Sequence, residues 1–278
     1  MAIGNRQSVI TLLTDFGAQD YFVGAMKGVI LSINPNASIV DITHEIPPQD
    51  IHAAAFNLLS CYKDFPEGTI HVAIVDPGVG SDRRALLIES ANQFFVGPDN
   101  GLFSWICERE NVWTAVHVTN RTFFHHPVSK TFHGRDIFAP VAAALSKGHR
   151  SREFGEPLRD IVRLEPLEPA AISENTIEGR IIHIDHFGNC VTNFTRETLE
   201  SRDAPTSWRI MLEGREISSV REFFADAKPH ELFSFIGSAG FVEICARNGS
   251  AAKILNVQPR QKVLLVSAAL TEIRAGST

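Results

Sequence analysis

The sequence has few cysteines and no long apolar run, and both absences narrow the class of protein. The four cysteines lie far apart and form no CxxC pair: Cys61, Cys107, Cys190 and Cys245. This usage excludes a disulfide scaffold and argues against a zinc ribbon. No apolar segment approaches the roughly 20 residues needed to cross a bilayer. The N-terminal stretch carries one arginine, a short apolar segment and then Asp15, which is not a signal-peptide pattern. We therefore expect a cytoplasmic protein.

The charge balance is weakly acidic, with a formal net charge of −6. We therefore expect neither nucleic acid nor a membrane surface as a partner. Hydrophobic residues make up 44% and charged residues 21% of the chain, as in ordinary globular proteins. At roughly 150 residues per domain, 278 residues predict two domains. An enzyme or a small-molecule binder fits these bounds.

The first half of the chain alternates strand-like and helix-like segments. Apolar runs predict strands at Val9 to Leu13, Ser38 to Ile42 and Ile70 to Val75, and a strand pair at Ala85 to Glu89 and Phe94 to Val96. Helical periodicity predicts helices at Ala18 to Asn34, Gln49 to Lys63 and Asp136 to Lys147. Several strands are apolar on both faces. We therefore expect an α/β domain over residues 1–163 with a mostly parallel central sheet.

The pattern changes after about Arg163. Pro166 and Pro169 indicate a linker over residues 164–176. Beyond it lie short β-rich runs separated by turn residues, at Ile177 to Ile184, Val191 to Phe194, Trp208 to Leu212, Leu232 to Ile236, Phe241 to Ala246 and Lys262 to Val266. Residues 177–278 are therefore predicted to form a smaller, antiparallel all-β domain of barrel or sandwich type.

Carboxylates follow the first predicted strand. Asp15 comes directly after it, and Asp20 falls in the first turn of the next helix. A carboxylate at a strand end can accept both hydrogen bonds of a ribose diol. The alternative is that both acids cap that helix and complement its dipole.

A further acid, Asp76, follows the fully apolar third strand. It stands at the sheet edge where α/β folds bind ligands. Gly78 and Gly80 lack the third glycine of a dinucleotide-binding fingerprint, and Arg83 and Arg84 stand where its helix should begin. The alternative is a tight turn with a surface ion pair between aspartate and arginine.

His133 precedes Gly134 at the entrance of a predicted helix, in the segment FHGRD. A histidine there faces a cleft and can titrate near neutrality. The alternative is a loop histidine with Asp136 as the helix N-cap. His125 and His126 are close in sequence, but the group lacks the i, i+4 pairing of an HExxH motif, so we expect no catalytic metal.

Two polar turns in the β-rich half are the remaining candidates. Asp185 and Asn189 bracket a Phe-Gly turn in DHFGN, and Ser238 lies in GSAG. An asparagine side chain offers both a donor and an acceptor to a purine edge. The alternative is that these turns are only structural.

Five segments occur in a fixed order: TDFG, VDPGVG followed by Arg83, FHGRD, DHFGN and GSAG. Together they resemble the S-adenosyl-L-methionine (SAM) hydrolase (adenosine-forming) family, also called SAM hydroxide adenosyltransferases, relatives of the fluorinase and chlorinase enzymes. The resemblance covers essentially the whole chain. It implies hydrolysis of SAM to adenosine and L-methionine without a metal or other cofactor. It also implies a homotrimer that holds SAM at its subunit interfaces.

The resemblance also implies roles for individual residues. Asp76, Arg83 and His133 match the family's set around the attacking water, and Asp15 matches the ligand of the ribose diol. The residues implied to contact the rest of the substrate are Asp20, Asp185 and Ser238 for the methionine part and Asn189 for the adenine. Ala239 departs from the family, which has a polar side chain there, and leaves the methionine carboxylate without an assigned anchor.

Two alternatives to the hydrolase remain. A halogenase of the same superfamily needs a pocket of neutral donors, because a carboxylate would repel the halide by several kcal/mol at low dielectric. Asp76 and His133 stand where the halogenases have uncharged residues, which favours water or hydroxide as nucleophile. A non-catalytic SAM- or adenosine-binding protein would not need these residues.

Overall fold

The computed structural model describes residues 8–200, 208–217, 221 and 224–267. The chain divides into two compact units, Met1–Glu165 and Pro166–Thr278. The division falls within the segment predicted as a linker. A β-strand, Ala170–Ser173, also lies in that segment, so the second unit begins earlier than the predicted residue 177.

The first unit contains a seven-stranded sheet. Its strands are β1 (Val9–Thr14), β2 (Ser38–Thr43), β3 (Ile70–Ile74), β4 (Ala85–Ser90), β5 (Gln93–Pro98), β6 (Trp113–Val118) and β7 (Gly155–Leu158). Their spatial order is β2-β1-β3-β5-β4-β6-β7. The pairings from β2 to β5 are parallel, and those from β5 through β4 and β6 to β7 are antiparallel.

The sheet is therefore mixed, which corrects the prediction of a mostly parallel one. The reversal starts at the turn between β4 and β5. Ala91 and Asn92 form a two-residue connection with φ of 51° and 59°. A two-residue turn with both central residues at positive φ joins antiparallel neighbours, so β4 must lie against β5 as a hairpin.

Helices pack against this sheet because its central strands are apolar on both faces. They are α1 (Phe22–Ile33), α2 (Ile51–Cys61), α3 (Ser104–Glu110) and α4 (Ala139–Ser146). One core cluster joins β1 to α1 and α4, through Leu12, Ile30 and Val141. Leu13, the next residue of β1, is fully buried as well, so both faces of the strand are covered.

The carboxyl ends of β1 and β3 lie side by side. The two strands pair in parallel with Thr14 opposite Ile74. Asp15 directly follows the first strand, and Asp76 comes two residues after the second. Parallel pairing thus brings the two acids, far apart in sequence, to one edge of the sheet.

The second unit is an antiparallel, nearly closed barrel. Its strands are β8 (Ala170–Ser173), β9 (Thr176–Ile184), β10 (Cys190–Thr195), β11 (Trp208–Leu212), β12 (Arg215–Ile217), β13 (Leu232–Ile236), β14 (Phe241–Ala246) and β15 (Lys262–Ser267). The order is β12-β11-β15-β9-β10-β14-β13, with β8 against β9. The end strands β12 and β13 approach each other, which nearly closes the sheet. The prediction of an antiparallel, barrel-like β domain is confirmed.

Two short helices, α5 (Arg196–Glu200) and α6 (Ala251–Leu255), complete the second unit. Its interior is apolar, with Ile181, Phe194 and Ile244 fully buried. Within the described part of the chain, the helices of both units are too short or too polar to cross a membrane.

Candidate active site

A cavity of about 440 Å³ opens at the carboxyl ends of β1 and β3. Its wall comes from the segments that follow these strands, from the entrance of α2 and from the turn before α4. The lining residues are Asp15, Phe16, Phe22, Gln49, Ile74, Asp76, Pro77, Val79, Thr131, Phe132, His133 and Gly134. The carboxylates and the histidine predicted from the first half of the chain therefore share one cavity, except for Asp20.

Asp76 and Arg83 form a nearly buried ion pair at this wall. Nε of Arg83 donates to the two carboxylate oxygens of Asp76 at 2.9 and 3.0 Å, and Nη2 donates to Oδ2. The side chains of Arg83 and Asp76 are only 10% and 6% exposed, respectively, so the alternative of a surface ion pair does not describe them. Charge-assisted contacts of this kind are stronger than neutral ones and fix both groups in place.

Arg83 also contacts His133. Its Nη2 donates to Nδ1 of the histidine at 2.9 Å, while its guanidinium lies 5.1 Å from the ring centre of Phe138. An N–H can donate only to an unprotonated ring nitrogen, so this contact assigns the proton of neutral His133 to Nε2. Asp76 and His133 line the cavity, and Arg83 lies behind them and joins them.

The surroundings of His133 favour its neutral form. Burial and the positive charge of Arg83 lower the pKa of His133 below its ordinary value of 6.5. The negative charges of Asp76 and Asp136 oppose this shift without reversing it. Neutral imidazole at pH 7 agrees with the hydrogen bond from Arg83.

His133 stands at the start of a π-helical turn. The turn spans Gly134–Phe138 and continues into α4. Asp136 lies inside this turn, is fully buried, and follows His133 at the N-cap position, so the alternative that Asp136 is the helix N-cap is wrong. A Cβ at Gly134 would come within 3.2 Å of Sδ of Met26, so a larger residue would crowd the entrance of the turn. π-helical turns are rare and occur often at functional sites.

Asp15 reaches the cavity from the segment after β1. Its Oδ2 accepts a hydrogen bond from the backbone N–H of Gln49 at 2.9 Å. Its Oδ1 has no hydrogen-bond partner among the residues that the structure describes and remains available to a ligand. The alternative role as a cap of α1 is wrong, because the N-cap of α1 is Tyr21 and its first turn holds no acid. Asp20 is exposed and lies outside the cavity wall.

Gln49 is a cavity residue that the sequence analysis missed. It has a left-handed backbone conformation, with φ of 67°, which is uncommon for a residue other than glycine. This conformation directs its N–H at Asp15. The Pro47-Pro48 pair directly before it was the available signal, since prolines mark a tight change of chain direction.

Aromatic rings make part of the wall apolar. Phe132 packs edge-to-face against Phe22 and Phe16, with ring centres 5.2 and 6.1 Å apart. Tyr21 stacks on Phe22 from the exposed side. Such a wall limits the access of water and strengthens electrostatic contacts inside the cavity.

In the second unit, Asp185 organises the turn between β9 and β10. Its carboxylate accepts hydrogen bonds from the backbone N–H groups of Phe187 at 2.9 Å and Asn189 at 2.8 Å, and from Nδ2 of Asn189 at 2.8 Å. Gly188 has φ of +83°, and a Cβ there would lie 2.0 Å from Oγ of Ser250. Asp185 and Asn189 are thus brought together, and the acid fixes the orientation of the carboxamide.

Ser238 is exposed in the turn between β13 and β14. Glu243 on β14 lies beside that turn, since a Cβ at Gly237 would be 1.8 Å from Oε1 of Glu243. Burial, assisted by the negative charge of Asp185, raises the pKa of Glu243 to about 7. Glu243 was also missed, although an acid inside the otherwise apolar strand Phe241–Ala246 was the available signal.

Metal-ligating side chains are not clustered in the described ranges, where no group of three or more His, Cys, Asp or Glu could hold an ion. His125 does contact Asp136, with its Nδ1 3.4 Å from Oδ1. That carboxylate also binds Arg135, which leaves this group as an ion pair.

Comparison with known families covers both units. Residues 10–155 match the model described as the SAM hydroxide adenosyltransferase N-terminal domain, and residues 179–264 match the corresponding C-terminal domain. The chain is 39% identical to the (R)-S-adenosyl-L-methionine hydrolase of Salinispora arenicola, over 90% of this chain and 94% of the relative. It is 35% identical to the enzyme of the same name from Methanocaldococcus jannaschii, over 93% and 95% of the two chains.

A solved structure matches as well. An uncharacterised conserved protein from Thermotoga maritima superposes with a TM-score of 0.85 at 36% identity, over 92% of this chain and 99% of that one. Fluorinases match at lower identity, for example 29% for the enzyme from an Actinoplanes species.

Proposed function

Since the chain belongs to the SAM hydroxide adenosyltransferase family, we propose that it hydrolyses S-adenosyl-L-methionine to adenosine and L-methionine. The observation that carries this proposal is the contact of Asp76 and His133 with one arginine, at the wall of the cavity that Asp15 also lines. These groups supply what attack by water on a ribose carbon requires: a proton acceptor, a donor and a clamp for the sugar.

The reaction breaks the bond between C5′ and sulfur and forms a bond between C5′ and a water oxygen. Both electrons of the broken bond go to sulfur, which leaves as a neutral thioether and needs no general acid. The attacking water loses one proton, so each turnover releases one proton to solvent. The demanding step is activation of water, whose pKa in bulk is about 15.7.

The hydrogen-bond directions divide the work among the three residues. Arg83 has no acceptor, and Nδ1 of His133 is occupied by Arg83. Asp76 is therefore the proton acceptor of the set, and Nε2–H of His133 donates to the water oxygen. Arg83 holds both partners in place from behind. Positioned acid–base groups contribute roughly 10²- to 10⁴-fold in rate.

Asp15 is the ribose clamp in this mechanism. Its Oδ2 is held by the backbone of Gln49, which leaves Oδ1 to accept from the sugar diol. The clamp touches no bond that breaks. It contributes by aligning the water oxygen, C5′ and sulfur, and such alignment is worth up to about 7–11 kcal/mol in favourable cases.

The remaining substrate contacts follow the family resemblance. Asn189 binds the adenine with the carboxamide that Asp185 orients. Asp20, Asp185 and Ser238 contact the methionine part. The resemblance also implies that no cofactor takes part and that SAM is the substrate.

The relatives are named as hydrolases of (R)-S-adenosyl-L-methionine, which specifies one configuration of the substrate. We propose that the present enzyme shares this preference and that it distinguishes the two epimers by their configuration at sulfur. Inversion at sulfur exchanges the directions of the methyl group and the 3-amino-3-carboxypropyl chain, so a site that holds both the ribose and the methionine part accepts only one epimer in line for attack at C5′. Incubation with an epimer mixture, followed by chiral chromatography, should show the (R) epimer disappearing first.

The assembly and location also follow the resemblance and the cysteine usage. We propose a homotrimer with substrate sites at the subunit interfaces, in the cytoplasm, where the four thiols stay reduced. Light scattering coupled to gel filtration tests the assembly, with a mass three times the 30.7 kDa of one chain expected.

The reaction itself is tested by incubation with SAM in ¹⁸O-labelled water. Mass spectrometry should find the label on the 5′-oxygen of adenosine and none in methionine. The same reaction with added chloride or fluoride tests the halogenase alternative, for which a 5′-halogenated adenosine would be the product. Saturable adenosine binding without any product would leave a non-catalytic binding protein.

A further inference from the structure

The buried carboxylate of Asp136 ties two parts of the chain together. It accepts hydrogen bonds from the backbone N–H of Ser129 at 2.7 Å and from Nε and Nη2 of Arg135 at 2.7 and 3.1 Å. The backbone carbonyl of Asp136 accepts from the N–H of His125 at 2.9 Å. We call the segment from His125 to His133 the histidine loop; Asp136 fixes both its beginning and its middle to the turn that carries His133.

The histidine loop contacts the loop that carries Asp76 and Arg83. We call the segment from Asp76 to Arg83 the acid loop. A Cβ at Gly80 in this loop would lie 2.2 Å from the carbonyl oxygen of Lys130. The two backbones are therefore in direct contact, with no room for one additional carbon atom.

These two contacts lie next to each other in the chain. Lys130 directly follows Ser129, whose N–H is held by Asp136. Contacts thus run without interruption from the turn that carries His133, through Ser129 and Lys130, to Gly80 in the acid loop. At the cavity the same two loops meet again in the hydrogen bond from Arg83 to His133.

We propose that Asp136 and Gly80 are positioning residues that hold the acid loop and the histidine loop at the spacing which lets Arg83 bind Asp76 and His133 together. The inference rests on the proposed function, since it deepens the account of the same site. Neither residue lines the cavity. Their loss should therefore lower the rate of the chemical step and leave nucleoside binding intact.

The size of the effect follows from the geometry of in-line attack. A displacement of about 1 Å in a positioned group can reduce the rate roughly 10²-fold. Insertion of a methyl group at Gly80 forces a displacement of that order between the loops. Replacement of Asp136 by asparagine removes the charge that binds Arg135 and weakens the hold on Ser129.

The experiment compares Gly80→Ala, Asp136→Asn and the double variant with the wild-type enzyme. Gly68→Ala is the matched control, because Gly68 has nearly the same φ, +82° against +80°, and no atom within 4 Å of its would-be Cβ. Measurements are kcat and KM for SAM, the Kd of adenosine by calorimetry, and the ¹⁵N spectrum of the His133 ring. We expect kcat to fall 10- to 100-fold in each single variant. The adenosine Kd should change less than about twofold, because Asp15, the proposed ribose ligand, lies on neither loop.

The double variant should be about as slow as the slower single variant, because both substitutions break the same connection. In the two single variants, the ring spectrum should lose the signature of an acceptor Nδ1 with the proton on Nε2, and Gly68→Ala should keep it. Multiplicative rate losses, a parallel loss of adenosine binding, or a control as slow as Gly80→Ala would each overturn the proposal.

The ring spectrum also separates this inference from the proposed function. A wild-type protein without SAM turnover would refute the function while the spectra still report on loop spacing. If Asp136→Asn does not fold, the comparison of Gly80→Ala with Gly68→Ala still tests the positioning role. An unchanged His133 signature in Gly80→Ala would then refute the positioning role.

Discussion

Nη2 of Arg83 donates to Nδ1 of His133 across 2.9 Å, and the same nitrogen donates to Oδ2 of Asp76. One guanidinium therefore fixes both the orientation of the carboxylate and the tautomer of the imidazole. Of these two groups, only Asp76 has an acceptor position left, on Oδ1, which takes a single hydrogen bond from Arg83. In the proposed mechanism, the direction of this hydrogen bond from Arg83 to His133 makes Asp76 the proton acceptor and His133 the donor, roles that the sequence left undecided.

Replacement of Asp76 by asparagine should lower kcat by roughly 10²- to 10⁴-fold and change KM for SAM little. The amide keeps the shape of the carboxylate but cannot take up a proton. Asp82→Asn is the matched control, since Asp82 is an exposed acid of the same loop. Steady-state kinetics check the prediction, and an equal loss in kcat and in affinity would make Asp76 a substrate ligand instead.

Replacement of Asp15 by alanine should weaken binding of adenosine at least tenfold, because the variant lacks the acceptor for the ribose diol. His133→Ala should leave the adenosine Kd unchanged. Asp20→Ala should raise KM for SAM without affecting adenosine. Calorimetric titration of adenosine into the three variants distinguishes these roles. Equal binding by Asp15→Ala and the wild-type enzyme would remove Asp15 from the site.

The imidazole of His133 should titrate below pH 6.5, because burial and Arg83 lower its pKa. A proton on Nδ1 would displace the N–H of Arg83, so kcat/KM should fall at acidic pH with a midpoint below 6.5. In Arg83→Gln the opposing charge is gone, and the midpoint should move to higher pH. NMR titration of the ring proton gives both midpoints. A wild-type midpoint above 6.5 would contradict the geometry.

Glu243→Gln should stabilise the protein at alkaline pH. The pKa of Glu243 is raised to about 7 from 4.5 in the unfolded chain, so the folded state binds the extra proton between these values. The protonated carboxyl group of Glu243 therefore favours the folded state: this stabilisation is fully present below pH 4.5 and is lost as the pH rises through 7. Because Glu243 is partly exposed, we expect a gain of only about 1 kcal/mol at pH 8 and none near pH 4.5.

Urea unfolding of the variant and the wild type at these two pH values checks the prediction for Glu243. Glu168→Gln, at an exposed acid, is the control and should show no such pH dependence. A variant less stable than the wild type at pH 8 would mean that the carboxylate has a stabilising partner.

Much of the fold follows from local sequence patterns. The strands Ile70–Ile74, Leu232–Ile236 and Phe241–Ala246 are apolar runs bounded by turn residues, and each was predicted within one or two residues. Short or polar elements were missed. β7 (Gly155–Leu158) and β12 (Arg215–Ile217) owe their strand conformation to pairing with a neighbour rather than to their own residues.

The candidate site residues also divide into those that local sequence patterns predicted and those that they missed. Asp15 and Asp76 were predicted because each follows an apolar strand, and the position of a strand end can be inferred from sequence. Gln49 and Glu243 were missed because their environments come from distant segments: the N–H of Gln49 meets Asp15, and Glu243 lies against Gly237. Asp136 looked like a helix cap because its burial depends on packing around the π-helical turn.

By itself the sequence determined the two-domain composition, the strand ends that carry acids, and the five motifs that mark the family. Only the tertiary structure decided that the first sheet is mixed, that Arg83 joins Asp76 to His133, and which nitrogen of the imidazole holds the proton. The physical reason is the distance along the chain over which each interaction acts. Apolar periodicity and turn propensity act over a few neighbouring residues, whereas hydrogen-bond direction and burial depend on groups that the folded chain brings together from far apart.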